Sequence, residues 1–130
     1  MTEKKISNKN FKNLIKDVLN ISQVHNYYGL VEQTGSIYME CEKGHFHCSN
    51  FSDIFIRDEL FGEPVYHKKG VVQLLSPLAI SYPGHNIITE DVGEIVGEDD
   101  CGCGRLGKYF KIYGRLEKSE IRGCSDTYFG

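Results

Sequence analysis

The chain has 130 residues, 40% of them hydrophobic, which suffices for one domain with a modest core and leaves too little for two. Its 15 basic and 18 acidic residues are interleaved and give a formal net charge of -3, so no block suits a phosphate backbone and nucleic acid is not the expected partner. The first residues are charged and no run approaches the roughly 20 apolar residues of a membrane span, which predicts a cytoplasmic protein without signal peptide or membrane span.

From the N-terminus, Asn8 to Leu19 places Phe11, Leu14, Ile15, Val18 and Leu19 on one stripe at helical spacing, with lysines opposite. This predicts an amphipathic helix covering a sheet and closed by Asn20. Val24 to Tyr28 reads as a short strand ending at Gly29, and Ser36 to Glu40 as a second after Gly35. Asp53 to Arg57 and Val71 to Ser76 predict two more, and Pro77 and Pro83 bracket a connection too rigid for a helix. Ile87 and Ile88 lead through Thr89, Glu90 and Asp91 to another short strand, Gly93 to Gly97. Tyr109 to Tyr113, YFKIY, is the clearest strand of all. Many short strands behind one helix predict an α+β domain: a bent, mainly antiparallel sheet or open barrel spanning residues 1–130.

Five cysteines, an odd number, do not make a disulfide framework in a chain without an export signal. Metal ligation or thiol chemistry fits them better. The run CEKGHFHC, Cys41 to Cys48, sets two thiols and two imidazoles around a glycine turn, and CGCG adds a C-x-C pair at Cys101 and Cys103. Zinc takes about four such ligands in a tetrahedron, so Cys41, His47, Cys101 and Cys103 are the expected set, with His45 as the alternate for His47 and Cys48 as an outside candidate. Four protein ligands would make the zinc structural, clamping two loops.

Three further features carry chemistry on a smaller scale. Gly29, Glu32 and Gly35 frame a turn that presents one carboxylate after a strand, or leave Glu32 merely solvated. Asp91 can accept hydrogen bonds from two adjacent sugar hydroxyls, or simply start a turn. Arg115, after Gly114, offers a planar fork to phosphate or ribose oxygens, and Cys124 is a lone thiol beside Arg122.

In order and rough spacing, HNYYGLVEQTG, SYPGHNIITED, DDCGCGRLGKYFKIYGR and EIRGCSDTY resemble segments of the acyl-adenylate-forming enzymes, and are most similar to acyl-protein synthetases of the LuxE type. Phenylacetate-CoA ligases are more distant relatives through their own C-x-C-G-R segment. The resemblance runs from about Phe11 to the end. It implies an ATP-dependent ligase that activates a fatty acid as acyl-AMP and passes the acyl group to a thiol. On the matching positions, Tyr28 and Gly29 would line the adenine and acyl pocket, Glu32 would help hold magnesium, and Asp91 would bind the ribose. Arg115 would contact ribose or phosphate, Glu117 would stand at a hinge followed by a mobile tail over residues 115–130, and Cys124 would carry the acyl group.

The Ser-, Thr- and Gly-rich phosphate loop of such enzymes has no counterpart upstream of YYGLVEQ. The resemblance therefore implies a C-terminal portion that requires a second half bearing that loop, or self-associates, and works with an acyl-CoA reductase-like partner. Two other readings compete: a zinc-stabilised binding module on the same scaffold without catalysis, and a piece of a phenylacetate-type CoA ligase.

Overall fold

A computed structural model describes residues 6–59 and 62–116 of the chain. It holds one helix, α1 (Asn8–Leu19), and seven strands: β1 (Tyr27–Tyr28), β2 (Tyr38–Met39), β3 (Phe46–His47), β4 (Asp53–Arg57), β5 (Gly70–Leu75), β6 (Asn86–Glu98) and β7 (Lys108–Arg115). The strands form an antiparallel five-stranded sheet in the order β3-β7-β6-β5-β4 and a two-stranded ribbon, β1-β2. A bridge between Glu40 and Phe46 joins the ribbon to β3, so the described strands make one bent, open surface that does not close. The α+β expectation holds.

The core lies inside that curve: Tyr38, Ile54, Ile56, Val72, Leu74, Ile95 and Phe110 are fully buried. β4 alternates inward Ile54 and Ile56 with half-buried neighbours, whereas β5, flanked on both sides, is buried along nearly its whole length. Tyr28 packs from the ribbon against Tyr38, Phe46 and Phe110, with ring centroids 6.1–6.2 Å away. Aromatic rings in such tilted and edge-on arrangements fill volume and fix each other's orientation.

Three points differ from the sequence reading in detail. The two pieces read around Ile87 and Gly93 are one strand, β6, because the polar Thr89-Glu90-Asp91 run continues the ladder. β3 escapes strand patterning because it has only two residues inside the cysteine- and histidine-rich run. The third concerns α1, whose ends fit the sequence: the Ser7 hydroxyl accepts from the Asn10 N–H at 3.2 Å, and Asn20 closes the helix in the left-handed region at φ 52°. Its facing does not fit, because no α1 residue is buried and Phe11, Leu14, Val18 and Leu19 are 45–70% exposed.

The reason lies in Glu40. Its side chain is only 3% exposed, and it is held by an ion pair with Lys12 and by the Asn26 N–H at 2.9 Å. Burial alone would raise this carboxyl's pKa, but Lys12 and the Asn26 N–H hold it below the usual range. A buried carboxylate without a cation would cost several kcal/mol, so α1 turns its lysine face inward. The apolar stripe is then left outside.

β7 runs through Arg115, and residues 117–130, including Glu117 and Cys124, lie outside the described residues, so the hinge and tail readings do too. No described helix is long and apolar enough to cross a membrane.

Candidate metal centre and adenosine corner

Two tight turns face each other at one end of the sheet. In the first, the Gly44 N–H donates to the Cys41 carbonyl at 2.9 Å, and in the second the Gly104 N–H donates to the Cys101 carbonyl at 2.9 Å. Both glycines have positive φ, 77° and 83°, which a side chain would resist. The turns are thus alike, Cys-x-x-Gly in each, but the third position differs. In the second turn that position is Cys103; in the first it is Lys43, and His47 on β3 supplies the missing ligand.

The ligand atoms of Cys41, His47, Cys101 and Cys103 all lie within 4.8 Å of one another. The Cys41 and Cys101 sulfurs are 4.0 Å apart, and His47 Nε2 is 3.4 Å from the Cys103 sulfur. Around a tetrahedral zinc, with Zn–S near 2.3 Å, ligand sulfurs stand about 3.8 Å apart, so these separations suit a metal of that size. The four residues of the expected set are those brought together, and they could hold a metal ion such as zinc.

The surroundings support the donor chemistry. Among the described residues His47 Nδ1 is buried without a hydrogen-bond partner, and metal ligation through Nε2 would fix it as the N–H tautomer. Burial, helped by Arg105, pushes His47 below its usual pKa and so favours the neutral ring that ligates metals. Burial would raise the Cys103 thiol, but the Arg105 N–H, 3.4 Å from its sulfur, and the neighbouring thiols bring it below its ordinary value. Burial pushes Cys101 up to about 11, as expected of a thiol that needs a metal before it ionises.

His45 stays close, with Nδ1 3.6 Å from the Cys101 sulfur, and its ring centroid lies 4.9 Å from that of Tyr109. Tyr109, on β7, also stacks on His47 at 5.7 Å and donates to Asp100 at 2.9 Å. Sequence reading took Tyr109 only as a strand residue. Its supporting role arises from the cross-strand pairing His47↔Tyr109, which a single strand cannot reveal. Cys48 lies elsewhere, against the main core, and burial followed by the nearby Asp53 raises it to about 12.

At the other end of β7, three residues named for the nucleotide meet. The Tyr28 hydroxyl donates to Asp91 Oδ2 at 2.6 Å, and Arg115 Nε stands 3.7 Å from Asp91 Oδ1. Burial, then the adjacent Asp91, drives the Tyr28 phenol well above its ordinary pKa, so it stays a donor. Arg115 reaches this position through a bulge: Val92 pairs with Gly114 but Gly93 with Ile112, leaving Tyr113 over, and Gly114 takes φ 128°. Thr89, which sequence reading passed over, accepts from the Asp91 N–H at 3.0 Å and donates to the Val72 carbonyl at 2.9 Å. It thereby fixes the backbone that carries the carboxylate.

Gly29 and Glu32 do not join this group directly. A side chain at Gly29 would come within 3.1 Å of the Ser36 carbonyl, so the glycine serves the return of the chain. Glu32 is exposed on a single helical turn, Val31–Gln33, and its carbonyl accepts from the Tyr82 hydroxyl at 2.8 Å. The buried residue of that turn is Gln33, which donates to the Gly84 carbonyl at 2.9 Å.

The sequence matches the family described as acyl-protein synthetase, LuxE, over residues 1–129. No curated protein matches the chain significantly. With that match over nearly its whole length, the chain belongs to the LuxE acyl-protein synthetase family.

Proposed function

We propose that this protein provides the adenosine-binding corner and the acyl-carrying thiol of an ATP-dependent, long-chain fatty acid acyl-protein synthetase. The observation that carries the reading is the convergence of Tyr28, Asp91 and Arg115, far apart in sequence, on one carboxylate. Such a carboxylate, fixed from one side by Thr89 and Tyr28, can accept from two vicinal hydroxyls of a ribose. Arg115, exposed at the end of β7, would bring a planar guanidinium to ribose or phosphate oxygens.

In this reaction the fatty acid carboxylate attacks the α-phosphorus of ATP, pyrophosphate leaves, and acyl-AMP forms. Arg115 offsets charge that builds at phosphorus. A thiolate then attacks the acyl carbonyl carbon, AMP departs with the bonding electron pair, and a thioester remains; we assign that thiol to Cys124. Magnesium would neutralise phosphate charge when bound, and the family resemblance assigns Glu32, exposed on its turn, to help hold it. Zinc, held by Cys41, His47, Cys101 and Cys103, would be structural, since four protein ligands leave no open position for substrate. A second polypeptide bearing a phosphate loop completes the enzyme in this account, with an acyl-CoA reductase-like protein receiving the product.

A non-hydrolysable mimic of tetradecanoyl-AMP tests the reading by direct calorimetry. Binding should weaken at least about tenfold in Asp91→Asn and stay unchanged in Cys124→Ser. Absence of binding, or equal binding by Asp91→Asn, would contradict it. Once the phosphate-loop half is added, Cys124→Ser should abolish acyl transfer while fatty-acid-dependent ATP–pyrophosphate exchange continues.

A further inference from the structure

We propose that the groove between α1 and the Cys41–Gly44 turn binds a polyphosphate anion, at a site separate from the Asp91 corner. The groove encloses about 640 Å³ and is lined by four lysines against two glutamates. Lys9, Lys12 and Lys16 come from one helix face, at spacings of three and four residues, and Lys43 comes from the opposite wall. Lys12 is committed to Glu40, but among the described residues Lys9, Lys16 and Lys43 join no ion pair.

The walls are built and not merely adjacent. The His25 ring donates through Nδ1 to the Glu40 carbonyl at 3.0 Å, the Asn26 amide donates to Asn8 Oδ1 at 2.8 Å, and the Lys43 stem lies over Gly102 of the facing turn. Burying a carboxylate and turning the lysine side of an amphipathic helix inward collects positive charge in one cleft of a protein whose net charge is negative.

The size of the groove selects the anion. At a rise of 1.5 Å per residue, Lys9 and Lys16 are about 10 Å apart along the axis, a span that a chain of two or three phosphates fills and a single carboxylate does not. A long nucleic acid would instead extend past one 12-residue helix onto a chain of net charge -3. Lysine ammonium groups act here as point charges suited to phosphate oxygens. The site does not depend on the acyl-adenylate reading, because inorganic triphosphate carries no adenosine.

Calorimetric titration of the purified, metal-loaded chain with inorganic triphosphate at low salt tests the proposal. The wild type should bind, binding should weaken as salt rises, and the triple variant Lys9→Gln/Lys16→Gln/Lys43→Gln should bind at least about tenfold more weakly. None of these three lysines is buried, so the triple variant should melt at the wild-type temperature, while Asp91→Asn should bind triphosphate like the wild type. No binding at millimolar triphosphate, undiminished binding by the triple variant, or loss of binding in Asp91→Asn would overturn the site. Titration with ATP separates the two sources of such an anion. Tighter binding than triphosphate, kept in Asp91→Asn and lost in the triple variant, identifies the phosphates of a nucleotide; equal binding identifies free polyphosphate.

Discussion

The two ends of β7 solve different problems with the same strand. At Tyr109 the strand backs a closed cluster whose four ligand atoms lie within 4.8 Å of one another; at Arg115, about 20 Å further along at 3.4 Å per residue, it presents an exposed guanidinium to a carboxylate whose side chain is 13% exposed. The first end is made by two glycine turns that repeat one hydrogen-bond pattern, and the second by a bulge that interrupts the ladder. A closed donor set contributes stability, whereas an open one leaves room for a ligand. In the proposed reading the metal end therefore braces, and the Asp91 end binds.

The sharpest way to break the comparison is to remove the metal. Cys101→Ser, or a strong chelator on the wild type, should lower the melting temperature by roughly 10 °C or more, because metal held only by the folded state adds its binding energy to stability. Melting that a chelator leaves unchanged would make the four residues ordinary core. Next in size is the bulge. Gly114→Val forces a branched side chain to φ 128°, at a cost of about 1–3 kcal/mol, and should displace Arg115 from Asp91 while leaving metal content at the wild-type level. Denaturant unfolding and elemental analysis on the same sample check both halves.

Glu40 sharpens the comparison through pH, since it anchors α1 directly before Cys41. Its folded pKa is depressed, so the stability it adds is present above the unfolded carboxylate value near 4.5 and is lost as pH falls below it. Melting temperature should decline below about pH 4.5, and that decline should be shallower in Glu40→Gln than in the wild type. A parallel decline would mean that the Lys12 pair does not hold the helix. The smallest effect is expected of Tyr28→Phe, which removes one hydrogen bond to Asp91 and should cost about 1 kcal/mol of stability, while weakening the acyl-AMP mimic more than it weakens folding. Equal binding by wild type and variant would take Tyr28 out of the ligand corner.

The metal set was legible because soft ligands at short spacing around glycines have few other uses, and Cys41, His47, Cys101 and Cys103 do converge. The helix bounds were legible too, from stripe and caps. Its facing was not: periodicity shows that Phe11, Leu14, Ile15 and Val18 share a side, but the partner of that side depends on Glu40, buried 28 residues from Lys12. Asp91 and Arg115 were marked by their own chemistry and Tyr28 by resemblance, and their convergence depends on the Asp91↔Arg115 register, which one unpaired Tyr113 sets. Thr89 and Tyr109 escaped notice because each acts across a strand pair, and in sequence they look like any other strand residues.

X-ray absorption at the zinc edge, on protein purified without added metal, tests the central claim most directly. The account predicts about one zinc per chain with three sulfur ligands and one nitrogen, lost in Cys101→Ser. A metal-free protein that still folds, or a zinc surrounded mainly by oxygen, would contradict it.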